Sequence, residues 1–93
     1  MEVRRLRMPE EIARRVRGLH PDIKRKVRRA LQTVLEAPLA GKPLKEELEG
    51  LRSYRLGRLR IVYRLADDGN VEIIAVGPRR TIYEETFRRV RRQ

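Results

Sequence analysis

Residues 52–65 read RSYRLGRLRIVYRL, and this stretch decides the fold. Apolar and charged side chains alternate in both halves of it, which is the period of a strand with one buried face. Gly57 and Arg58 separate the two halves, and two residues that include a glycine are enough for a tight hairpin turn. The stretch therefore predicts two antiparallel strands, around which the rest of the chain can be assigned.

A third strand and a final helix follow this hairpin. The segment ADDGN (66–70) is typical of a second turn, and VEIIAVG (71–77) is a continuous apolar run of the kind found in central strands covered on both faces. The segment TIYEETFRRVRRQ (81–93) has helical spacing. Thr81 and Glu84 have the spacing of a capping box, so we expect the helix to begin there.

The first half of the chain is predicted to be mainly helical. Residues 2–7 are a candidate edge strand, Pro9 opens a short helix, and Pro21 opens a longer amphipathic one. The segment 37–50 is rich in Pro and Gly and is interpreted as a loop with one turn of helix. The predicted order is β-α-α-β-β-β-α, an α+β fold. Its antiparallel sheet packs a helical hairpin on one face and leaves the other face open.

Composition and charge limit the range of possible functions. The chain has 93 residues, which predicts a single domain over 1–93, and its 24 basic against 13 acidic residues give a net charge of +11. Such a balance favours a polyanionic partner, either a nucleic acid or an acidic protein. With no cysteine and one histidine, neither a disulfide nor a zinc site is expected, and we expect no metal and no cofactor. No apolar run approaches the ~20 residues of a membrane span, so we expect a cytoplasmic protein that needs no membrane.

Strand alternation places several arginines on one surface. If Leu59, Ile61 and Tyr63 contact the helical hairpin, then Arg60 and Arg64 lie on the open face. Further members of this predicted cluster are Arg55 on the neighbouring strand, Arg79 and Arg80 where the third strand stops, and Tyr83 one helical turn later. Guanidinium groups are well suited to phosphate, so the pattern indicates a phosphate-handling surface, provided that the strands pair in the assumed register.

Each of these residues also has a simpler interpretation. Arg60 could be an ordinary solvated strand residue, and Arg79 with Arg80 could neutralise Glu84 and Glu85. Tyr83 could be half-buried with its hydroxyl in water. His20 lies in the break between the two helices and is interpreted as a residue at the start of a helix, because no second histidine exists to form an acid–base couple with it.

Three motifs in order resemble the RelE/ParE superfamily of bacterial and archaeal toxins. They are LRIVY (59–63), VGPRR (76–80) and Tyr83. The two preceding helices and the chain length are similar to that family as well, so the resemblance covers nearly the whole sequence. The resemblance implies the toxin of a type II toxin–antitoxin system, held in a hetero-oligomer by an acidic, partly disordered antitoxin segment.

The resemblance leaves the target of the toxin open. RelE-like members are ribosome-dependent mRNA endonucleases (mRNA interferases) that work without metal by attack of the 2′-hydroxyl group. ParE-like members inhibit DNA gyrase without nuclease activity, and other relatives are inactive RNA-binding proteins. For this chain the RelE-like reading, with ribosome and mRNA as partners, is the first prediction, and the other two are its alternatives.

The resemblance also implies roles for individual residues. Arg60 and Arg79 would contact the scissile phosphate, and Tyr83 would stack on a base or orient the attacking hydroxyl group. The further phosphate-binding candidates are Arg52, Arg55, Arg64 and Arg80. One departure weakens the nuclease reading: RelE-like sites also use lysines on the preceding strand, where this chain has Leu51 and Ser53.

Overall fold

Five strands form one sheet in the order β1-β5-β4-β3-β2. The computed structural model describes residues 4–91. The strands are β1 (Leu6–Arg7), β2 (Lys42–Pro43), β3 (Leu51–Leu56), β4 (Leu59–Leu65) and β5 (Val71–Pro78). All neighbouring strands are antiparallel except β1, which runs parallel to β5. The predicted meander of β3, β4 and β5 is confirmed. The sheet is nevertheless mixed, because β1 pairs with the free edge of β5 and runs parallel to it.

Within the described part of the chain, three helices cover the sheet: α1 (Glu10–Arg17), α2 (Pro21–Glu36) and α3 (Arg79–Arg91). The hairpin of α1 and α2 buries one stripe against the sheet, and its core includes Ile12, Val27, Ile61, Ile73 and the fully buried Tyr63. His20 precedes α2, and its Nδ1 atom accepts a hydrogen bond from the backbone N–H of Asp22 at 3.2 Å, as expected of a helix-start residue. None of the helices within residues 4–91 combines the length and apolar character needed to cross a bilayer.

The sequence suggested that the opposite face of the sheet is open. In the structure this face is covered, because α3 lies across it. Ile82 is fully buried there against Val62 and Ala75, which point away from the helical hairpin. The helix begins at Arg79, so Thr81 lies inside its first turn rather than at a capping position. The physical reason is apolar surface: β4 and β5 carry buried side chains on both faces, and each face needs a cover.

A β-bulge bends β5 beside this second core. Val62 pairs with Ala75 and Tyr63 pairs with Ile73, so Ile74 is an extra residue in β5. The bulge places Ile74 and Ala75 in the same apolar cluster, on the α3 side of the sheet. Beyond the bulge Gly77 pairs with Arg60, which sets the position of the last strand residues before α3.

The segment between α2 and β3 is anchored by one buried tyrosine. It contains two short 3₁₀ turns, Pro38–Ala40 and Glu46–Leu48, the second of which was predicted as a helical turn. The Tyr63 hydroxyl donates a hydrogen bond to the Pro38 carbonyl at 2.6 Å and accepts one from the Gly41 N–H at 2.8 Å. A Cβ atom on Gly41 would lie 2.6 Å from the Tyr63 oxygen, so glycine is required at this close approach.

The turn between β4 and β5 contains an acid-sensitive carboxylate. Asp68 accepts a hydrogen bond from the Asn70 N–H at 3.0 Å and forms an ion pair with Arg7. These contacts, the backbone one first, lower the pKa of Asp68 below its ordinary value of 3.8. The carboxylate therefore stabilises the fold above that pH, and this stabilisation is lost as the pH falls through the lowered pKa.

We expect Asp68→Asn to remove this pH dependence. Asparagine keeps the local turn geometry and loses the charge, so the variant should unfold at a lower temperature than the wild-type protein at pH 7. The gap between the two unfolding midpoints should narrow steadily as the pH is lowered towards about 2.5. Thermal unfolding followed by circular dichroism measures both curves, and a gap that is independent of pH would contradict the assignment.

Candidate functional site

Two arginines face each other across β3 and β4. Arg55 pairs with Arg60 in the register of the two strands, and Arg60 pairs on its other side with Gly77 of β5. A Cβ atom on Gly77 would point at Ile82 of α3, so these three residues lie on the α3 side of the sheet. Gly77 has no side chain, which leaves room over the sheet for the guanidinium of Arg60.

The Arg55–Arg60 pair is part of a cavity of about 290 Å³, which we call the arginine cavity. It lies where the β3–β4 turn meets the start of α3, and the Arg79 N–H donates to the Arg58 carbonyl at 3.2 Å across this junction. The lining residues are Arg55, Gly57, Arg58, Arg60, Pro78, Arg79 and Arg80. Four of the predicted site residues are therefore brought together, and they are joined by Arg58.

Arg58 was missed by the sequence reasoning, although a signal for it exists. Gly57 has φ of 59° and makes a two-residue turn with Arg58, as predicted. Leu59 directly after the turn pairs with Pro78 directly before α3. In an antiparallel sheet, a hairpin turn lies at the same end of the strands as the last residues of the next strand. Arg58, as a residue of this turn, could therefore have been assigned to the site.

The arginine cavity has no compensating negative charge. Among residues 4–90, none of its five arginines forms an ion pair with a carboxylate. Glu85 is engaged by Arg15 at 2.8 Å and by Arg89 at 3.3 Å, so it does not neutralise Arg79 or Arg80. Neutralisation by Glu85 therefore does not explain the positions of Arg79 and Arg80.

This arrangement is electrostatically costly without an anion. Like charges directly opposite each other on neighbouring strands destabilise a sheet, and cations in the first turn of a helix oppose its dipole. The Nε atom of Arg60 is also buried, with no hydrogen-bond partner among the described residues. A phosphate group placed in the cavity would relieve all three costs together.

Tyr83 lies beside the cavity, one helical turn beyond Arg79. The residue is 37% exposed, and its hydroxyl lies 3.5 Å from the Oγ atom of the buried Ser53. Ser53 and Arg55 are two residues apart on the same face of β3, a separation of about 6–7 Å. An exposed aromatic face next to a phosphate site is the arrangement that single-stranded nucleic acids require for stacking.

Two of the predicted phosphate-binding residues lie elsewhere. Arg52 pairs with Tyr63 on the helical-hairpin side of the sheet, and its guanidinium donates to the Gly41 carbonyl at 2.7 Å. Arg64 lies at the far end of β4, where Glu72 binds it in an ion pair and accepts from its Nε atom at 3.0 Å. The structure thus brings neither residue into the arginine cavity.

The chemistry available in the cavity is charge stabilisation. Among the described residues its lining consists of arginine, glycine and proline, and arginine is a poor general base because the guanidinium group holds its proton too tightly. Within residues 4–91 no cluster of three His, Asp or Glu side chains could hold a metal ion. The arrangement suits binding of a phosphodiester and stabilisation of the extra negative charge that develops when it is attacked.

The chain matches a toxin family over most of its length. Residues 5–83 match the family described as the ParE toxin of the type II toxin–antitoxin system parDE. No curated protein sequence matches the chain.

Comparison with solved structures indicates the same family. The chain is 32% identical to a RelBE-type toxin–antitoxin complex protein from Mycobacterium tuberculosis, with a TM-score of 0.72 over 84% of this chain and 100% of that one. It is 26% identical to the isolated RelE toxin of E. coli, with a TM-score of 0.67 over 94% and 98% of the two chains. An archaeal RelE–RelB complex from Pyrococcus horikoshii OT3 shares the fold at 17% identity, with a TM-score of 0.67 over 84% and 97%.

The family match, the mixed five-stranded sheet and the resemblance of the 59–63 and 76–80 motifs agree with one another. The chain belongs to the RelE/ParE superfamily and is the toxin of a type II toxin–antitoxin system.

Proposed function

We propose that this toxin is a ribosome-dependent mRNA endonuclease that cleaves without metal by attack of the 2′-hydroxyl group. The observation that carries the proposal is the arginine cavity, in which five uncompensated guanidinium groups lie beside the exposed ring of Tyr83. The similarity to RelE structures supports it, since the 32% identical relative is a RelBE-type protein. The protein acts in the cytoplasm, where ribosomes and messages are.

The cleavage step follows from the charge in the cavity. The 2′-oxygen bonds to phosphorus while the bond to the 5′-oxygen breaks, which leaves a 2′,3′-cyclic phosphate and a free 5′-hydroxyl group. Arg60 and Arg79 contact the non-bridging oxygens and stabilise the charge of the five-coordinate intermediate. The proton of the 2′-hydroxyl passes to water and another reaches the 5′-oxygen from water, because, among the described residues, the lining offers no carboxylate, histidine or lysine.

The remaining residues position the message. Tyr83 stacks on a base next to the scissile bond, with its hydroxyl directed by Ser53. Arg55, Arg58 and Arg80 hold the flanking phosphates, and Arg52 and Arg64 are left out because both are engaged elsewhere. The cavity supplies charge but no general base, so the ribosome must present the message in the reactive geometry.

The antitoxin is expected to neutralise the same charge. An acidic segment that folds on binding would complement a toxin with a net charge of +11 and would form a hetero-oligomer with it. If it covers the arginine cavity, an RNA oligonucleotide and the antitoxin should compete for the free toxin.

A toeprint on programmed ribosomes tests the proposal. Refolded toxin is added to ribosomes that hold a message in the A site, and the same message without ribosomes is the control. We expect cuts within the A-site codon that appear only when ribosomes are present. An intact message in every lane, with the fold verified by circular dichroism, would overturn the proposal.

Inhibition of DNA gyrase is the second candidate function, and two observations favour it. The family that matches residues 5–83 carries the description of the ParE toxin, and the cavity has no general base. A gyrase supercoiling assay distinguishes the two, since an inhibitor of that type would block supercoiling at toxin concentrations that leave ribosome-bound message intact.

A further inference from the structure

Phe87 is a second exposed aromatic residue on α3. The chain has three tyrosines and one phenylalanine, all of them within the described residues. Tyr63 is fully buried and Tyr54 is partly buried, whereas Tyr83 and Phe87 are each 37% exposed. Both exposed residues belong to the same helix, and only Tyr83 takes part in the proposed cleavage. The proposed function therefore leaves the second ring without a role.

Tyr83 and Phe87 lie on the same side of α3. They are four residues apart, and side chains at this spacing are neighbours on a helix surface, with about 5–6 Å between their Cβ atoms. Ile82 and Thr86, which precede them by one position, are fully buried beneath the helix. The contact of the Tyr83 hydroxyl with Ser53 shows that this side of the helix faces β3. The two rings therefore form a row along the β3 side of α3, which we call the aromatic row.

The aromatic row runs away from the arginine cavity. The cavity lies at the first turn of α3, beside Arg55 near the end of β3, and Tyr83 follows one turn later. Val90, beyond the row, packs against the apolar cluster that contains Leu51, the first residue of β3. Phe87 thus lies farther from the cavity than Tyr83 and in line with it. A single strand with a phosphate in the cavity and one base on Tyr83 reaches Phe87 with its next base.

We infer that Phe87 stacks on the base next to the one that Tyr83 contacts, so that the toxin holds two successive bases of the message. This inference rests on the proposed function and adds a substrate-contacting residue to it. Neighbouring bases in a duplex strand are about 3.4 Å apart, which is less than the separation of the two residues. The aromatic row therefore suits bases that have been splayed apart, the form in which single-stranded RNA stacks on aromatic side chains.

The surroundings of Phe87 favour a nucleic acid over a protein as its partner. The exposed residues that neighbour the two rings on the surface of α3 are charged: Arg80, Glu84 and Arg88. A protein–protein interface has a desolvated centre in which charged residues are depleted. A phenyl ring offers a stacking surface and no hydrogen-bonding group, so it accepts any base. The contact therefore extends the bound strand and adds no strong base preference.

Messages that lack a single base test the contact. A series of synthetic messages carries one ribose-bearing abasic nucleotide, moved one position at a time through the A-site codon and its neighbours. The ribosome fixes the register, and the ribose keeps the 2′-hydroxyl group that attacks. Single-turnover cleavage on programmed ribosomes is measured for the wild type, Phe87→Leu, Tyr83→Leu and Phe87→Trp, with each fold verified by circular dichroism. Leucine keeps an apolar contact and removes the aromatic face, whereas tryptophan enlarges that face.

We expect two adjacent nucleotides at which loss of the base slows wild-type cleavage by at least about fivefold, the lower end of the effect of one stacked base. Phe87→Leu should slow cleavage of the intact message by a similar factor. At one of the two nucleotides, loss of the base should change its rate by less than about twofold, because the partner ring is already missing. Tyr83→Leu should be insensitive at the other nucleotide, and Phe87→Trp should keep the wild-type pattern.

The outcomes separate the inference from the proposed function. Wild-type cleavage with fewer than two sensitive nucleotides overturns the inference without the use of any variant, and the cuts leave the endonuclease proposal in place. A Phe87→Leu variant with the wild-type pattern also overturns it and leaves Phe87 to a protein partner such as the antitoxin. A Phe87→Trp variant that behaves like Phe87→Leu contradicts stacking, because a larger aromatic face should preserve it. An intact message in every lane overturns both proposals.

Discussion

Arg60→Gln should lower the rate of ribosome-dependent message cleavage by about 10²–10³-fold, the usual cost of removing one donor from a charge-stabilising site. Arg60 lies on the central strand of the cavity, opposite Arg55 and beside Gly77, and its buried Nε atom has no partner among residues 4–91. Glutamine keeps part of the length and polarity and loses the charge. Single-turnover cleavage on programmed ribosomes measures the effect directly.

Arg64→Gln is the matched control for this prediction. Arg64 lies on the same strand and the same face as Arg60, but its guanidinium is bound by Glu72 outside the arginine cavity. We expect its cleavage rate to stay within about threefold of the wild-type rate, because the substitution removes an exposed ion pair of small energy. Equal losses in the two variants would mean that overall charge, rather than position in the cavity, drives cleavage.

Tyr63→Phe should lower the free energy of unfolding by about 2–4 kcal/mol, although the ring volume hardly changes. The hydroxyl joins the Pro38 carbonyl to the Gly41 N–H, and phenylalanine would leave both of these backbone groups buried without partners. Each buried unsatisfied group costs about 1–3 kcal/mol. Urea unfolding at pH 7 measures the loss of free energy. In a thermal unfolding experiment, each kcal/mol corresponds to a fall of roughly 4–8 °C in the midpoint temperature.

Tyr54→Phe is the control for this second prediction. Tyr54 is partly buried against the same core, and its hydroxyl has no hydrogen-bond partner among the described residues, so its loss should cost less than about 0.5 kcal/mol. A similar loss in both variants would show that the Pro38 and Gly41 contacts are not the cause.

The same tyrosine predicts the behaviour of the fold in alkali. Burial raises the pKa of Tyr63 above its ordinary value of 10.0, with the Gly41 N–H and Arg52 partly opposing the effect. In the unfolded chain the phenol ionises near pH 10, whereas in the folded protein it stays neutral, so stability falls as the pH rises above about 10. Tyr63→Phe should therefore lose less stability than wild type between about pH 9.5 and 11.

The part of the fold that the sequence predicts well is the part with a clear period. Alternation in residues 52–65 predicted β3, β4 and the Gly57 turn, because one face of each strand is uniformly apolar. The helical hairpin was predicted for the same reason, from apolar residues that recur on one stripe.

The position of α3 was not predicted, although the sequence contained a clue to it. The run VEIIAVG was interpreted as a strand covered on both faces, which is incompatible with an open sheet surface. Ala75 and Val62 require a cover, and Ile82 provides it. Hydrophobic pattern shows that a face is buried, but it does not name the element that buries it.

The candidate site shows a similar limit. Four of its arginines were chosen correctly as neighbours, because they follow from strand alternation and from the end of β5. Arg52 was included on the family resemblance alone. Alternation along β3 puts it on the same face as Tyr54, and its pairing with Tyr63 confirms that this is the helical-hairpin side of the sheet. Arg64 was misplaced because alternation gives the face of a residue and not its distance along the strand.

The pairing of β1 with β5 has a consequence for synthesis of the toxin. Leu6 is held beside Val71, and the wall of the arginine cavity is completed by Arg79 and Arg80 at the start of α3. The first joins residue 6 to residue 71, and the second joins residues 55–60 to residues 78–80, so neither can form before the segment 71–80 has been synthesised. The cationic site is therefore absent from the nascent toxin until β5 and the start of α3 have emerged from the ribosome that makes it.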